Sequence, residues 1–319
     1  MCKELKQRNP NIELYRCLLT FGIVLLHVVG FYGGGKIRLS SGLDWCVPGF
    51  IFISGYFGMR FSWKKLLKIY GVALWCYPVS ALMCQIVDGS GLCITAILKT
   101  AYESFLWNWF VHAYVGLMLL APLVDGALVR VRESGRLKDA ALLLPFLIFV
   151  FGWSFLSDFN CTHKFIPLAP SCSVLTLLGV YAVARIFRFC KLENRISTLD
   201  GLILFAVSLS LAFLKIGKFN SIIALAITIG SFVVFLRMKL PRSFGRFVLV
   251  LAPSMFSVFL MHAIPWVLHS VKEWVGGLMA NGLPLYVSFV ALALVVFVAG
   301  VLLDLPRRVL VKVFHGQGI

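Results

Sequence analysis

Charged residues are scarce in this chain, and acidic ones most of all. Of 319 residues only 13 are Asp or Glu, and all charged types together make up 13%. A soluble domain carries about a quarter of its residues charged, so an ordinary water-soluble fold is excluded. Paired cysteines are missing too. Nine cysteines are scattered, mostly within apolar runs, with no CxxC pair, which removes the usual zinc and dithiol signatures. They read as small core residues with free thiols, and no metal site is expected. Cys161 and Cys172 flank one expected outer loop, where a disulfide is the alternative to free thiols. Polar stretches long enough for a soluble domain are absent, as is any visible internal repeat. The start, MCKELKQRNP, is charged, and the first apolar segment ends without a small-residue cleavage site. A retained first helix is therefore expected rather than a signal peptide.

What fills the chain instead is apolar: 60% hydrophobic residues and a mean hydropathy of +0.93. The expectation is an all-α protein, a polytopic bundle of transmembrane helices in one domain spanning 1–319, with the lipid bilayer as its solvent. About ten apolar segments approach spanning length, at roughly 12–32, 45–59, 68–87, 107–126, 140–157, 172–188, 199–215, 219–236, 247–269 and 285–304. The second is short and holds Pro48, Gly49 and Gly55, which suggests a kinked or partly re-entrant segment. Stretch 89–105 suits an amphipathic interfacial helix with Ile94, Ile97 and Leu98 on one side.

The net charge of +17 would point to nucleic acid in a soluble protein. Here the cations sit in short clusters between apolar segments, where they set topology, and nucleic acid is excluded as a partner. With the N-terminus in the cytoplasm, inner segments hold 23 of the 30 Lys and Arg and outer segments hold 7. That asymmetry predicts an even number of spans with both termini cytoplasmic.

The first apolar segment carries the most informative pattern. Arg16 and His27 lie eleven residues apart, which returns to within about 20° of one helix face and separates them by roughly 16 Å. Glu13 and Thr20 share that stripe. Ionisable groups inside a membrane helix are costly and face a functional interior. His27 is a packed core histidine on one reading and a general base on the other. Arg16 is a topology residue snorkelling to the surface, or it contacts an anionic donor or Glu13 three residues away. Arg60, Lys64, Lys65 and Lys68 either set topology or bind phosphates, with Lys65 and Lys68 on one face if a helix begins there. Trp107 and Trp109 read as an aromatic belt, and Asp125 as structural. His112 and Tyr114 on that segment, and His262 further on, are the remaining candidates. His262 and His269 lie seven apart on the expected ninth span, on one face, with Pro265 nearby.

These residues resemble the membrane-bound acyltransferase 3 family, multi-pass enzymes that O-acylate bacterial surface glycans. Arg8-Asn-Pro-Asn-Ile-Glu13-Leu-Tyr-Arg16 followed by Leu25-Leu-His27 is similar to the family's first helix, an Arg, ten residues and a His. Phe50-Ile-Phe-Ile-Ser-Gly-Tyr-Phe57 resembles its second helix, and Lys65 and Lys68 fall where the family has two basic residues three apart. Trp109-Phe through Leu120-Ala-Pro122 resembles its Trp…Pro helix, and Phe259-Leu-Met-His262 a Tyr-Leu-Ile-His stretch near its end. There are departures. Tyr114 stands where many members carry Glu, and the basic pair is Lys/Lys rather than Arg/Arg, without the bidentate fork that grips phosphate. No soluble hydrolase-like domain of the kind some members append is visible.

The resemblance implies a bacterial cytoplasmic-membrane enzyme with no permanently bound cofactor. It takes acyl-CoA, most often acetyl-CoA, as co-substrate and acylates a hydroxyl of a glycan or lipid-linked sugar. In that scheme Lys64, Lys65, Lys68 and Arg16 hold the donor phosphates, and Glu13 fixes Arg16. His27 serves as general base or is itself transiently acylated. The rival from another class is a transporter or flippase of a lipid-linked glycan, which the polar stripe and basic surface also suit, but which should show two related halves. A scaffold in a glycan-assembly complex is the third reading.

Overall fold

A chain surrounded by hydrocarbon must satisfy its backbone N–H and C=O groups internally, and a helix does so within one segment. The computed structural model describes residues 8–33, 37–89, 91–134, 174–214 and 220–314, and among them every regular element is helical. Besides the single turn Arg38–Ser41, the α-helices among the described residues are α1 (Pro10–Gly33), α2 (Cys46–Phe57), α3 (Trp63–Asp88), α4 (Ile94–Trp107), α5 (Trp109–Ser134), α6 (Val174–Phe189), α7 (Thr198–Phe213), α8 (Asn220–Arg237), α9 (Arg242–Leu251), α10 (Met255–His262), α11 (Pro265–Ala280) and α12 (Leu285–Phe314). Five stretches among the described residues are long and apolar enough to cross a membrane: Pro10–Gly33, Trp63–Asp88, Trp109–Val131, Arg242–His262 and Leu285–Val313. Cys46–Phe57, Thr198–Phe213 and Ile222–Arg237 are apolar but shorter. The expected segment at 140–157, and Cys161 and Cys172, lie outside the described residues. Cys17, Cys46, Cys76 and Cys84 are buried free thiols, and Cys93 and Cys190 exposed ones.

Several local expectations are sharpened. α2 has 12 residues, a rise of about 18 Å against a hydrocarbon core of about 30 Å. Pro48 falls in its first turn, where a missing N–H costs nothing. The stretch after Gly89 does form a helix. In α4 the exposed residues Ile94, Leu98, Tyr102 and Leu106 recur every fourth position, the pattern of a helix lying in a membrane interface. The ninth expected span is not continuous. α9 and α10 run together through the 3-10 turn Ala252–Ser254, but the helix stops at His262. Ile264 is extended (φ −72°, ψ 135°) and Pro265 starts α11, because the residue before a proline is pushed out of the helical region. His262 and His269 therefore do not share a helix face, contrary to the sequence expectation.

The chain divides into two compact units. The first comprises Met1–Leu43, Leu67–Asn108 and Met238–Ile319, and the second Asp44–Leu66 and Trp109–Arg237. In the first, α1 packs against α9, α10, α11 and α12. Its core joins Val24, Leu25, Val28 and Val29 of α1 to Val248, Met255, Val258, Val271, Val275 and Phe289. Trp75 donates its indole N–H to Leu303 O at 3.3 Å, which ties α3 to α12 within the same unit.

In the second unit small residues set the helix spacing, as is common between membrane helices. α2 lies against α6 at Gly55, where an added Cβ would sit 2.7 Å from Ala184 Cβ and 2.8 Å from Tyr181 O. α7 lies against α8 at Gly201 and Gly230, where a Cβ on Gly230 would sit 2.6 Å from Phe205 N. Beyond α2 the chain turns at Gly58 (φ +79°), a conformation that disfavours any side chain. There Tyr181 OH accepts the Met59 N–H at 3.1 Å and donates to Asp125, which also takes Arg185 Nε at 2.6 Å. Asp125 is thus structural, as its position implied.

Gly55→Leu is expected to lower unfolding free energy by about 1–3 kcal/mol, because four added carbons meet backbone rather than a movable side chain. Denaturant titration of the protein in micelles, with Gly71→Leu as the control where nothing lies within 4 Å of the added Cβ, measures the difference.

Candidate functional site

The stripe on α1 is present and ordered from one end. Glu13 is buried, 4% exposed, and accepts Arg16 Nη1 at 2.9 Å. The partner three residues away is therefore realised, and the ion pair lets a carboxylate stay buried in an apolar helix. Only one Arg16 nitrogen is engaged by that contact, and about a third of its side chain is exposed. Thr20 is fully buried and returns its hydroxyl to Arg16 O at 2.9 Å. One further turn pair up the helix stands His27, partly exposed.

His27 does not stand alone. His262, 2% exposed at the end of α10, places Nε2 at 3.1 Å from His27 Nδ1, with ring centroids 4.9 Å apart. Each ring also faces a backbone carbonyl on its own helix: His27 Nδ1 is 2.9 Å from Ile23 O, and His262 Nδ1 is 3.2 Å from Val258 O. A carbonyl oxygen only accepts, so both Nδ1 atoms must carry hydrogen. A neutral imidazole has one donor and one acceptor, so His262 Nε2 holds a lone pair and accepts from His27 Nδ1–H. One assignment serves all three contacts, with the single Nδ1–H of His27 shared between Ile23 O and His262 Nε2. It leaves the lone pair of His27 on Nε2, which no hydrogen bond among the described residues occupies. A ring whose proton is pinned on one side and whose base nitrogen is open on the other is built to accept a proton from a bound hydroxyl. Phe31 flanks His27 with rings 6.5 Å apart, and Phe259 meets His262 edge-on at 5.5 Å.

The break at Ala263–Ile264 explains why this contact was not readable from spacing. Ending α10 at His262 puts the ring at a helix terminus, where its direction depends on packing rather than periodicity. The sequence marked His262 as a candidate and gave no means of pairing it with His27, 235 residues away.

The same unit holds another ion pair, within α12. α12 continues past the expected boundary at 304, and Asp304, fully buried, takes Arg307 Nε at 2.6 Å and Nη2 at 3.1 Å. Arg308 donates to Ser254 Oγ at 3.3 Å. Both arginines are thereby fixed to the unit that carries the histidines.

The other candidates have different surroundings. α3 begins at Trp63, so Lys65 and Lys68 do share a helix face, and Lys64, Lys65 and Lys68 are all exposed. Lys65 Nζ donates to Arg60 O at 3.2 Å. Lys64 and Lys65 belong to the second unit and Lys68 to the first. His112 is exposed on α5, and Tyr114, three turns from Asp125, lies 3.3 Å from Ser54 Oγ and stacks on Phe110. Both belong to the second unit. Among the described residues no three His, Cys, Asp or Glu side chains converge on a metal-sized site.

The family model described as an acyltransferase domain, that of the acyltransferase 3 family, matches residues 9–303. No curated protein and no solved structure matches the chain.

Nitrogen-15 spectra of histidine-labelled protein are expected to show Nδ1 protonated and Nε2 bare on both His27 and His262. A proton on His27 Nε2 would overturn the assignment. In His262→Leu protein the His27 ring should lose its single tautomer and show mixed populations.

Proposed function

Because the chain belongs to the acyltransferase 3 family, we propose that it moves an acyl group, most simply acetyl, from acyl-CoA to a hydroxyl of a bacterial surface glycan or lipid-linked sugar, in the bacterial cytoplasmic membrane. The observation that carries this reading is the His27–His262 contact at 3.1 Å, which leaves His27 Nε2 open as a base. As the sugar oxygen attacks the thioester carbonyl, His27 Nε2 takes the hydroxyl proton. The C–S bond then breaks, and the departing CoA sulfur receives that proton from His27 Nε2–H. His262 touches no reacting atom. It is a positioning residue that accepts Nδ1–H and steadies the transient imidazolium.

Arg16, held by Glu13, is the donor-binding cation closest in sequence to the base. Its unengaged N–H groups suit a phosphate of CoA. Lys68, exposed on the same unit, adds a further cation without a bidentate grip.

His27→Ala, inserted at wild-type level, is expected to lose about 10²–10⁴-fold in acyl transfer measured with labelled acetyl-CoA in membrane vesicles. His262→Leu should lower kcat and leave KM nearly unchanged, with partial rescue by His262→Asn, whose side-chain oxygen can accept Nδ1–H. Full acylation by His27→Ala would sink the reading. Glycan that crosses the membrane with unchanged mass would favour a flippase. For the donor, Arg16→Gln should raise KM for acetyl-CoA about tenfold while kcat stays within about a factor of three.

A further inference from the structure

The second unit contains a cavity of about 890 Å³ that the acyl-transfer chemistry does not use. Arg185, Arg188, Lys191 and Arg237 line it, together with Tyr56 and Glu193. Clustered cations near membrane helix ends ordinarily serve topology, and for that they need only reach water. The three arginines are held in place instead. Arg188 Nη1 donates to Glu193 Oε1 at 2.5 Å and to Tyr56 OH at 2.8 Å, and its guanidinium lies 4.9 Å from the Tyr56 ring centroid. Arg237 Nη2 donates to Glu193 O at 2.5 Å, and Arg185 Nε is fixed on Asp125. One buried glutamate thus orients two arginines from different elements, the ends of α6 and α8.

Two features say what the cavity lacks. Four cations face two carboxylates, Glu193 and Asp125, so the site has an excess of positive charge. Glu193 is 7% exposed, and its Oε2 has no hydrogen-bond partner among the described residues. A buried carboxylate oxygen left without a donor is costly, and turning it toward the cavity would let a ligand hydroxyl or amine satisfy it. Lys191 adopts φ 51°, a left-handed conformation uncommon outside glycine and asparagine, at the rim of the same cavity. The size falls within the range of small-molecule sites, about 300–1,000 Å³, and exceeds what a bare phosphate ion fills.

We propose that this cavity binds a phosphate ester that carries a hydroxyl or amine close to its phosphate. The phosphate meets Arg188, Arg237 and Lys191, and the hydroxyl or amine donates to Glu193 Oε2. Both a soluble nucleotide such as CoA and the headgroup of phosphatidylglycerol have this chemistry. The site stands on these residues alone and does not depend on His27 acting as a base.

The test uses the full chain with two variants: Lys191→Asn, which removes a charge and tolerates the left-handed conformation, and the double substitution Lys191→Asn with Arg237→Gln. Calorimetric titration with CoA in phosphatidylcholine nanodiscs reads the soluble ligand. Native mass spectrometry of protein extracted from mixed phosphatidylglycerol and phosphatidylcholine membranes reads the lipid. Loss of a charge-assisted contact should weaken the true occupant about tenfold in the double variant and about threefold in Lys191→Asn. A drop in CoA affinity identifies a nucleotide occupant, and a drop in retained phosphatidylglycerol with CoA binding unchanged identifies the lipid. If neither changes by more than about twofold in a variant that keeps the wild-type melting profile, the proposal is overturned, and Lys191→Asn alone decides should the double variant misfold. His27→Ala transfer activity, measured separately, tells this failure apart from failure of the acyl-transfer reading.

Discussion

A polar side chain on an apolar helix must find a partner on its own backbone or on a neighbour, because hydrocarbon offers none. That constraint organises the functional side of this protein. Glu13 is tolerable only with Arg16 at 2.9 Å, Thr20 only with its hydroxyl turned back to the backbone, and Asp304 only with the fork of Arg307. His27 and His262 solve the same problem jointly. Each spends one nitrogen on a carbonyl of its own helix, and the nitrogen between them is shared. The chain of partners has a definite end, His27 Nε2, and that end is where chemistry can begin.

The second unit meets the constraint differently. Its helices approach through glycines at 55, 201 and 230, and its carboxylates Asp125 and Glu193 are paired with arginines. Asp125, Tyr181 and Arg185 lock the turn after α2, where Gly58 leaves room for the Arg185 guanidinium 3.3 Å from any added Cβ. Glu193 does the same for Arg188 and Arg237. In both places an acidic residue fixes arginines that sequence patterning treats as interchangeable inside-facing charges, Arg185 and Arg188 through a carboxylate and Arg237 through the backbone carbonyl of Glu193. Topology accounts for their presence and says nothing about their orientation.

Much of the helix map was legible from the chain because apolar length is a one-dimensional property. α1 begins and ends close to where hydropathy puts it, α3, α5 and α12 each match at one end and run on past the apolar stretch at the other, and the Arg16–His27 stripe follows from the helical repeat alone. The amphipathic α4 was visible for the same reason. What periodicity could not deliver is anything that depends on a break or a long-range approach. Pro265 was in plain view, yet the expected ninth span ran through it, because proline is often accommodated inside membrane helices, as Pro78 and Pro122 are here. The break fixed His262 against His27, so the error in the helix hid the contact that matters most. The cavity around Glu193 was illegible for a related reason. Its cations come from two segments whose encounter only packing can establish.

The pairing of two imidazoles also limits what chemistry the site can drive. A carboxylate partner on His27 would steady a developing imidazolium strongly, but it would place a charge inside an apolar bundle, where an unpaired ion costs several kcal/mol. A neutral histidine partner avoids that charge and steadies the imidazolium only by a hydrogen bond. Such a base is modest. It suits a reaction whose leaving group needs little help. A thiolate is such a group, since a free thiol ionises near pH 8.5 and leaves without strong acid assistance, whereas an amide or an alkyl ester would demand a stronger base and acid. Under the acyl-transfer reading, the neutral pair on α1 and α10 is therefore a reason to expect an activated thioester as donor. The buried setting restricts the partner of the base, and the partner of the base in turn restricts the substrate.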